Sequence, residues 1–129
     1  MNYFQITEIK NALIELGKER LPVAYEIAKN TRLCNQVINE TADLSRELFE
    51  KFADRDSEGA LIQYPDESKS MQTVLKINDP EKLAQHQAER IKLLLAEHTV
   101  DFVKISASSI QAVPLTASIL MPLLDSIIE

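Results

Sequence analysis

Two glycines, no tryptophan and one cysteine are the scarcities that first constrain this 129-residue chain. An antiparallel sandwich or barrel needs many tight turns and aromatic-rich strands, so two glycines and 5% aromatic residues point away from an all-β fold. The lone Cys34 has no partner for an internal disulfide and fits a reducing compartment. Gly17 and Gly59 stand alone, which excludes a glycine-rich phosphate loop. Long hydrophobic runs are missing too. The most apolar stretch, residues 110–128, is broken by Gln111, Pro114, Thr116, Ser118, Pro122, Asp125 and Ser126, short of the roughly twenty apolar residues a membrane span needs. Residues 1–10 lack the basic and apolar regions of a secretory signal, so the expectation is a protein with no membrane association that stays where it is made.

What is present describes a mildly acidic globular chain: 45% hydrophobic, 26% charged, formal net charge −6. A chain of this length buries roughly two-thirds of the surface its unfolded form exposes, enough for a core without disulfides or metal. A single domain over residues 1–129 is therefore expected. Residues 1–65 carry eight basic and eleven acidic side chains and residues 66–129 carry six and nine, so each part contributes −3. Neither the Lys/Arg face of a nucleic-acid binder nor the carboxylate rows of a DNA mimic is visible, and no nucleic-acid partner is expected.

Hydrophobic spacing predicts a mainly helical (α+β) protein. Ile6, Ile9, Leu13 and Leu16 mark a first short helix, with Thr7 as its N-cap and Gly17 as a left-handed stop. Leu21-Pro22 opens a much longer one. There Val23, Ile27, Asn30, Cys34, Val37, Thr41, Leu44 and Leu48 alternate four-residue and three-residue steps as a heptad seam, ending near residues 52–55. Residues 60–64 and 71–77 read as a hairpin around the polar run 65–70, and residues 99–105 as a third strand beside it. Asn78-Asp79-Pro80 opens the second long helix, whose inward face is Leu83, Ala84, Ala88, Ile91, Leu94 and Leu95. The two long helices are expected to pair antiparallel. Residues 113–128 form the last helix, kinked at Pro122, which lacks a backbone donor.

No catalytic, cofactor-binding or metal-binding residue emerges from this pattern. Cys34 with His86 or His98 has the residue types of a thiol hydrolase, but Cys34 sits on the seam, where a buried thiol is inert. His86 reads as a solvated helix residue and His98 as part of a turn, twelve residues further on. Neither histidine has a second ligand at the three- or four-residue spacing that zinc sites favour. Asp54, Asp56, Glu58 and Gly59 match the first half of a calcium loop, yet its twelfth position is Pro65 instead of a bidentate carboxylate. Asn30 and Thr41, polar positions on an apolar seam, are candidates for setting helix register.

The tail holds more apolar residues than one packed helix face needs. Leu120, Met121, Leu124, Ile127 and Ile128 are the candidate interaction surface, for a protein partner or a second copy of the chain. Burial inside the same molecule is the plainer alternative.

The run Leu21-Pro22-Val23-Ala24-Tyr25-Glu26-Ile27-Ala28-Lys29-Asn30 resembles the opening signature of a family of small uncharacterised proteins encoded in tailed-bacteriophage genomes and prophages. The layout is similar over about residues 13 to 128, including the alternating Val100-Asp101-Phe102-Val103-Lys104-Ile105 and a final helix near Pro114. The resemblance implies a phage or prophage origin and a place among morphogenesis genes, and it carries no catalytic residues. The expectation is a non-enzymatic virion or assembly protein, located in the host cytoplasm or the particle. A small acidic inhibitor of a host defence or other host protein is the alternative.

Overall fold

The computed structural model describes residues 1–19, 21–68, 71–111 and 114–129. The protein is mainly helical with one small antiparallel sheet. Its elements are α1 (Tyr3–Gly17), α2 (Ala24–Phe52), β1 (Tyr64–Pro65), β2 (Thr73–Val74), α3 (Pro80–Leu95), a 3₁₀ turn (Ala107–Ser109) and α4 (Ala117–Leu124). They form two compact units: residues 1–41 with 94–129, and residues 42–93.

The first unit is built around α1. Asn2, not Thr7, caps this helix: its side chain accepts from the Gln5 amide while the Gln5 side chain accepts from the Asn2 amide. This reciprocal box satisfies two donors that a helix start leaves free, which moves the start to Tyr3. Thr7 instead donates back to the Tyr3 carbonyl. Gly17 is not a left-handed stop either, because the helix runs into Lys18 with right-handed backbone; among the described residues only Gly59 has positive φ. Ile6, Ile9, Ala12, Leu13 and Leu16 form the buried face of α1.

The predicted seam buries Val23, just before α2, and Ile27, Asn30, Cys34 and Thr41 within it. Asn30 is fully buried yet satisfied: its Nδ2 donates to the Val103 carbonyl and its Oδ1 accepts from the Val103 amide, both at 2.8 Å. That pair explains why residues 99–104 form no third strand. A side chain, not the hairpin, takes the polar groups of Val103. The chain then pairs with its own later segment: Ile105 forms a parallel bridge with Ile128, its amide donating to the Ile127 carbonyl and its carbonyl accepting from the Glu129 amide. Ile105, Ile110, Leu123 and Ile127 complete this core. The final helix is shorter than the spacing suggests, eight residues instead of 113–128, and Val113 lies outside the described residues.

The second unit holds the hairpin, paired Tyr64 to Val74 and Pro65 to Thr73, with an isolated bridge from Arg55 to Leu61. Lys69 and Ser70 of the polar tip lie outside the described residues. Here α2 ends at Phe52, as its spacing predicts, and α3 starts at Pro80 with the Asp79 carboxylate accepting from the Glu81 amide. The inward face of α3 differs from expectation. Leu83, Ile91 and Leu95 are exposed, whereas His86 is buried with its ring edge-on to Phe49 and Phe52, at centroid distances of 5.3 and 6.1 Å. Edge-to-face contact lets a flat imidazole fill a slot between phenyl rings. Seven residues on, half-buried Leu93 lines the same hollow as Leu44 and Leu48. Leu44 keeps half of its surface exposed there, contrary to its place on the seam.

Candidate functional site

Packing against α1 sorts the tail residues. Leu123 and Ile127 are fully buried, and Leu120 and Ile128 are half-buried against the same core. Met121 and Leu124 point outward, 68% and 48% exposed. So the candidate set Leu120, Met121, Leu124, Ile127 and Ile128 divides: Ile127 is core, and Met121 and Leu124 offer the free apolar surface. Pro122 sits inside α4, and its carbonyl accepts from the Ser126 hydroxyl in the turn that ends the helix.

Met121 and Pro122 lie along an open groove of about 580 Å³ between α1 and α4, walled by Glu8, Asn11 and Glu15 on the α1 side. A smaller hollow beside it, also reached by Glu8, Met121 and Pro122, adds Asp125. Spacing produces this wall. Residues 8, 11, 12 and 15 share one helical face, so the acids stand over the small buried Ala12. Glu15 is paired with Lys18 at 2.8 Å, while Glu8 and Asp125 make no ion pair among the described residues. The groove therefore has an apolar floor and a negative rim. Such a surface can take a cationic amphiphilic segment, because an apolar side chain loses water on the floor while its basic neighbours meet the acids. Of the candidate tail residues only Met121 lines this groove, and its acidic wall was not among the sequence candidates, although the seven-residue step from Glu8 to Glu15 carried the signal.

The other candidates have structural occupations. Cys34 is fully buried, and burial pushes its thiol up to about 11 against a smaller opposing effect of Lys10. A thiol held protonated in this way is a poor nucleophile at neutral pH. Asp54 spends its carboxylate on the hairpin and the next helix: Tyr64 donates to it at 2.8 Å, and Asn78 donates through both its amide and its side chain. Those donors, the Asn78 amide first, hold the Asp54 carboxyl below its ordinary value, and the bond to the Asp54 carboxylate in turn raises the Tyr64 phenol. Asp56 accepts from the amides of Glu58 and Ala60, closing the turn at Gly59, where φ is +85°. Of the calcium-like run, Asp54 thus ties the hairpin to the next helix and Asp56 serves the turn. His98 lies after α3, its amide donating to the Met1 carbonyl and its buried Nε2 lacking a partner. No group of three or more potential metal ligands occurs among the described residues, and no described helix is long and apolar enough to cross a membrane.

No protein-family model, curated protein or solved structure matches the chain.

Proposed function

We propose that the protein is a non-enzymatic phage factor of virion structure or assembly that works through protein contacts at the α1–α4 groove. The observation that carries this reading is exposed Met121 lining that acidic-rimmed groove. Apolar side chains held out on a short helix, rimmed by polar groups, are what a contact surface requires. The phage context rests on the resemblance of residues 21–30 to the phage family. In the same reading α2 and α3 are an antiparallel pair in the second unit, supported by Phe49 and Phe52 meeting His86 while Leu44 and Leu48 share a hollow with Leu93.

The negative rim of Glu8, Glu15 and Asp125 also favours the alternative, an acidic inhibitor that occupies a basic surface of a host protein. One experiment separates the two. Deleting the reading frame from the phage genome should leave genome replication intact while electron microscopy shows incomplete particles. Normal particles combined with lost growth only on hosts carrying an intact defence system would overturn the assembly reading in favour of inhibition.

A further inference from the structure

The first unit carries a second surface that complements the groove. Tyr25, Ala28, Lys29 and Arg32 line a shallow hollow on one face of α2, all four exposed. Their spacing is that of a single helix stripe, with two cations beside one aromatic ring. Lys29 and Arg32 make no ion pair among the described residues. The groove repeats this spacing with the opposite sign, Glu8 and Glu15 standing over Ala12. Tyr25 and Met121, at 69% and 68%, are the two most exposed large apolar side chains described in this unit. One belongs to the basic stripe and the other to the acidic groove.

We propose that the groove between α1 and α4 receives the Tyr25–Arg32 face of α2 from a second copy of the chain, so that copies join head to tail. The inference rests on the reading of the groove as a contact surface. In the docked pair Tyr25 covers Met121, an aromatic–sulfur contact that removes both from water. Lys29 and Arg32 meet Glu8, Glu15 and Asp125, which offsets the repulsion between two chains of net charge −6. Because groove and stripe are different surfaces, each added copy leaves one of each free. Association of this kind continues past two copies unless it closes into a ring.

The test is sedimentation velocity of the purified full chain, with Glu8→Lys and Arg32→Glu as single charge reversals. The wild-type mass should climb with concentration from 14.6 kDa to species of more than two copies. Each reversal should weaken association by about tenfold or more, since like charges then face each other. An equimolar mixture of the two variants should restore it, because the reversed groove fits the reversed stripe and the two unaltered surfaces still fit each other. Circular dichroism checks that both variants fold. If either does not, Asp125→Lys and Lys29→Glu replace them. A wild type that stays monomeric, an assembly that stops at two copies, indifference to either reversal, or a mixture that fails to associate would each overturn the proposal. A monomeric wild type leaves the assembly reading to the gene deletion, so the two fail separately.

Discussion

The buried side chain of Asn30 and the backbone of Val103 exchange two hydrogen bonds of 2.8 Å across 73 residues of chain. An asparagine amide carries a donor and an acceptor side by side, the same pair a neighbouring strand would present. One residue of a helix thus does the work of a strand edge. Asn30→Ala should therefore cost more than its lost contacts, because it strands both polar groups of Val103. A loss of about 2 kcal/mol or more is expected in urea unfolding. Asn30→Asp, which keeps an acceptor but no donor, should not restore it.

The glycines should respond in opposite directions. Gly59 has φ of +85°, so Gly59→Ala is expected to destabilise by about 1 kcal/mol even though nothing lies within 4 Å of the new Cβ. Gly17 is helical, and a Cβ there meets the Ile27 Cγ2 at 3.5 Å, an ordinary contact. Gly17→Ala should raise stability by about 0.5 to 1 kcal/mol. Thermal unfolding of the two variants decides both signs.

Two residues of the tail should differ as sharply. Ile127→Ala empties a fully buried position and should cost about 2 to 5 kcal/mol. Met121→Ala removes an exposed side chain and should move stability by no more than about 0.5 kcal/mol. Chemical denaturation that ranks them the other way would contradict the burial of Ile127 and the exposure of Met121.

The bonds at Asp54 tie stability to pH with a known sign. Its folded carboxyl lies below the ordinary 3.8, so its contribution is complete above that value and is lost as pH falls through the folded value. The Tyr64 phenol is raised above 10.0, so its contribution is complete below 10.0 and is lost as pH climbs through the folded value. Urea midpoints should show wild type exceeding Asp54→Asn at neutral pH, with the gap narrowing in acid. Tyr64→Phe should lose the alkaline decline specific to that phenol. Asp66, lowered by Ser68, adds an acid dependence of its own, and Asp66→Asn subtracts it.

Cys34 should react slowly with a soluble disulfide reagent in the native state and at once in denaturant. Fast native labelling at neutral pH would contradict both its burial and its raised thiol.

What the sequence made legible was local periodicity. Val23, Ile27, Asn30, Cys34 and Thr41 repeat at steps that only a helix places on one face, and all five are buried. The Pro80 start of α3 was equally readable, since a carboxylate before a proline has a local meaning. The errors fall where distant partners decide. Which face of α3 turns inward depends on Phe49 and Phe52, so a histidine was buried while Leu83 and Ile91 stayed out. Residues 99–105 alternate like a strand, but Asn30 holds both polar groups of Val103. Gly17 lost its expected role because Lys18 tolerates right-handed backbone. For the candidate surface, hydrophobicity could not separate Met121 from Ile127. Only the side of the tail that meets α1 could.

The division of the chain between the units also sets an order of events during synthesis. Residues 42–93 are contiguous, so the second unit holds all of its own chain as soon as that stretch is released. The first unit is split. The apolar sides of α1 and early α2 emerge first, yet Ile105, Leu123 and Ile127, which cover them, are translated last. For the intervening elongation these helices present a greasy face to whatever lies near the ribosome, and closing so long a loop makes their own completion slow. A nascent chain stalled before residue 105 should thus be a chaperone substrate, and one released past residue 128 should not.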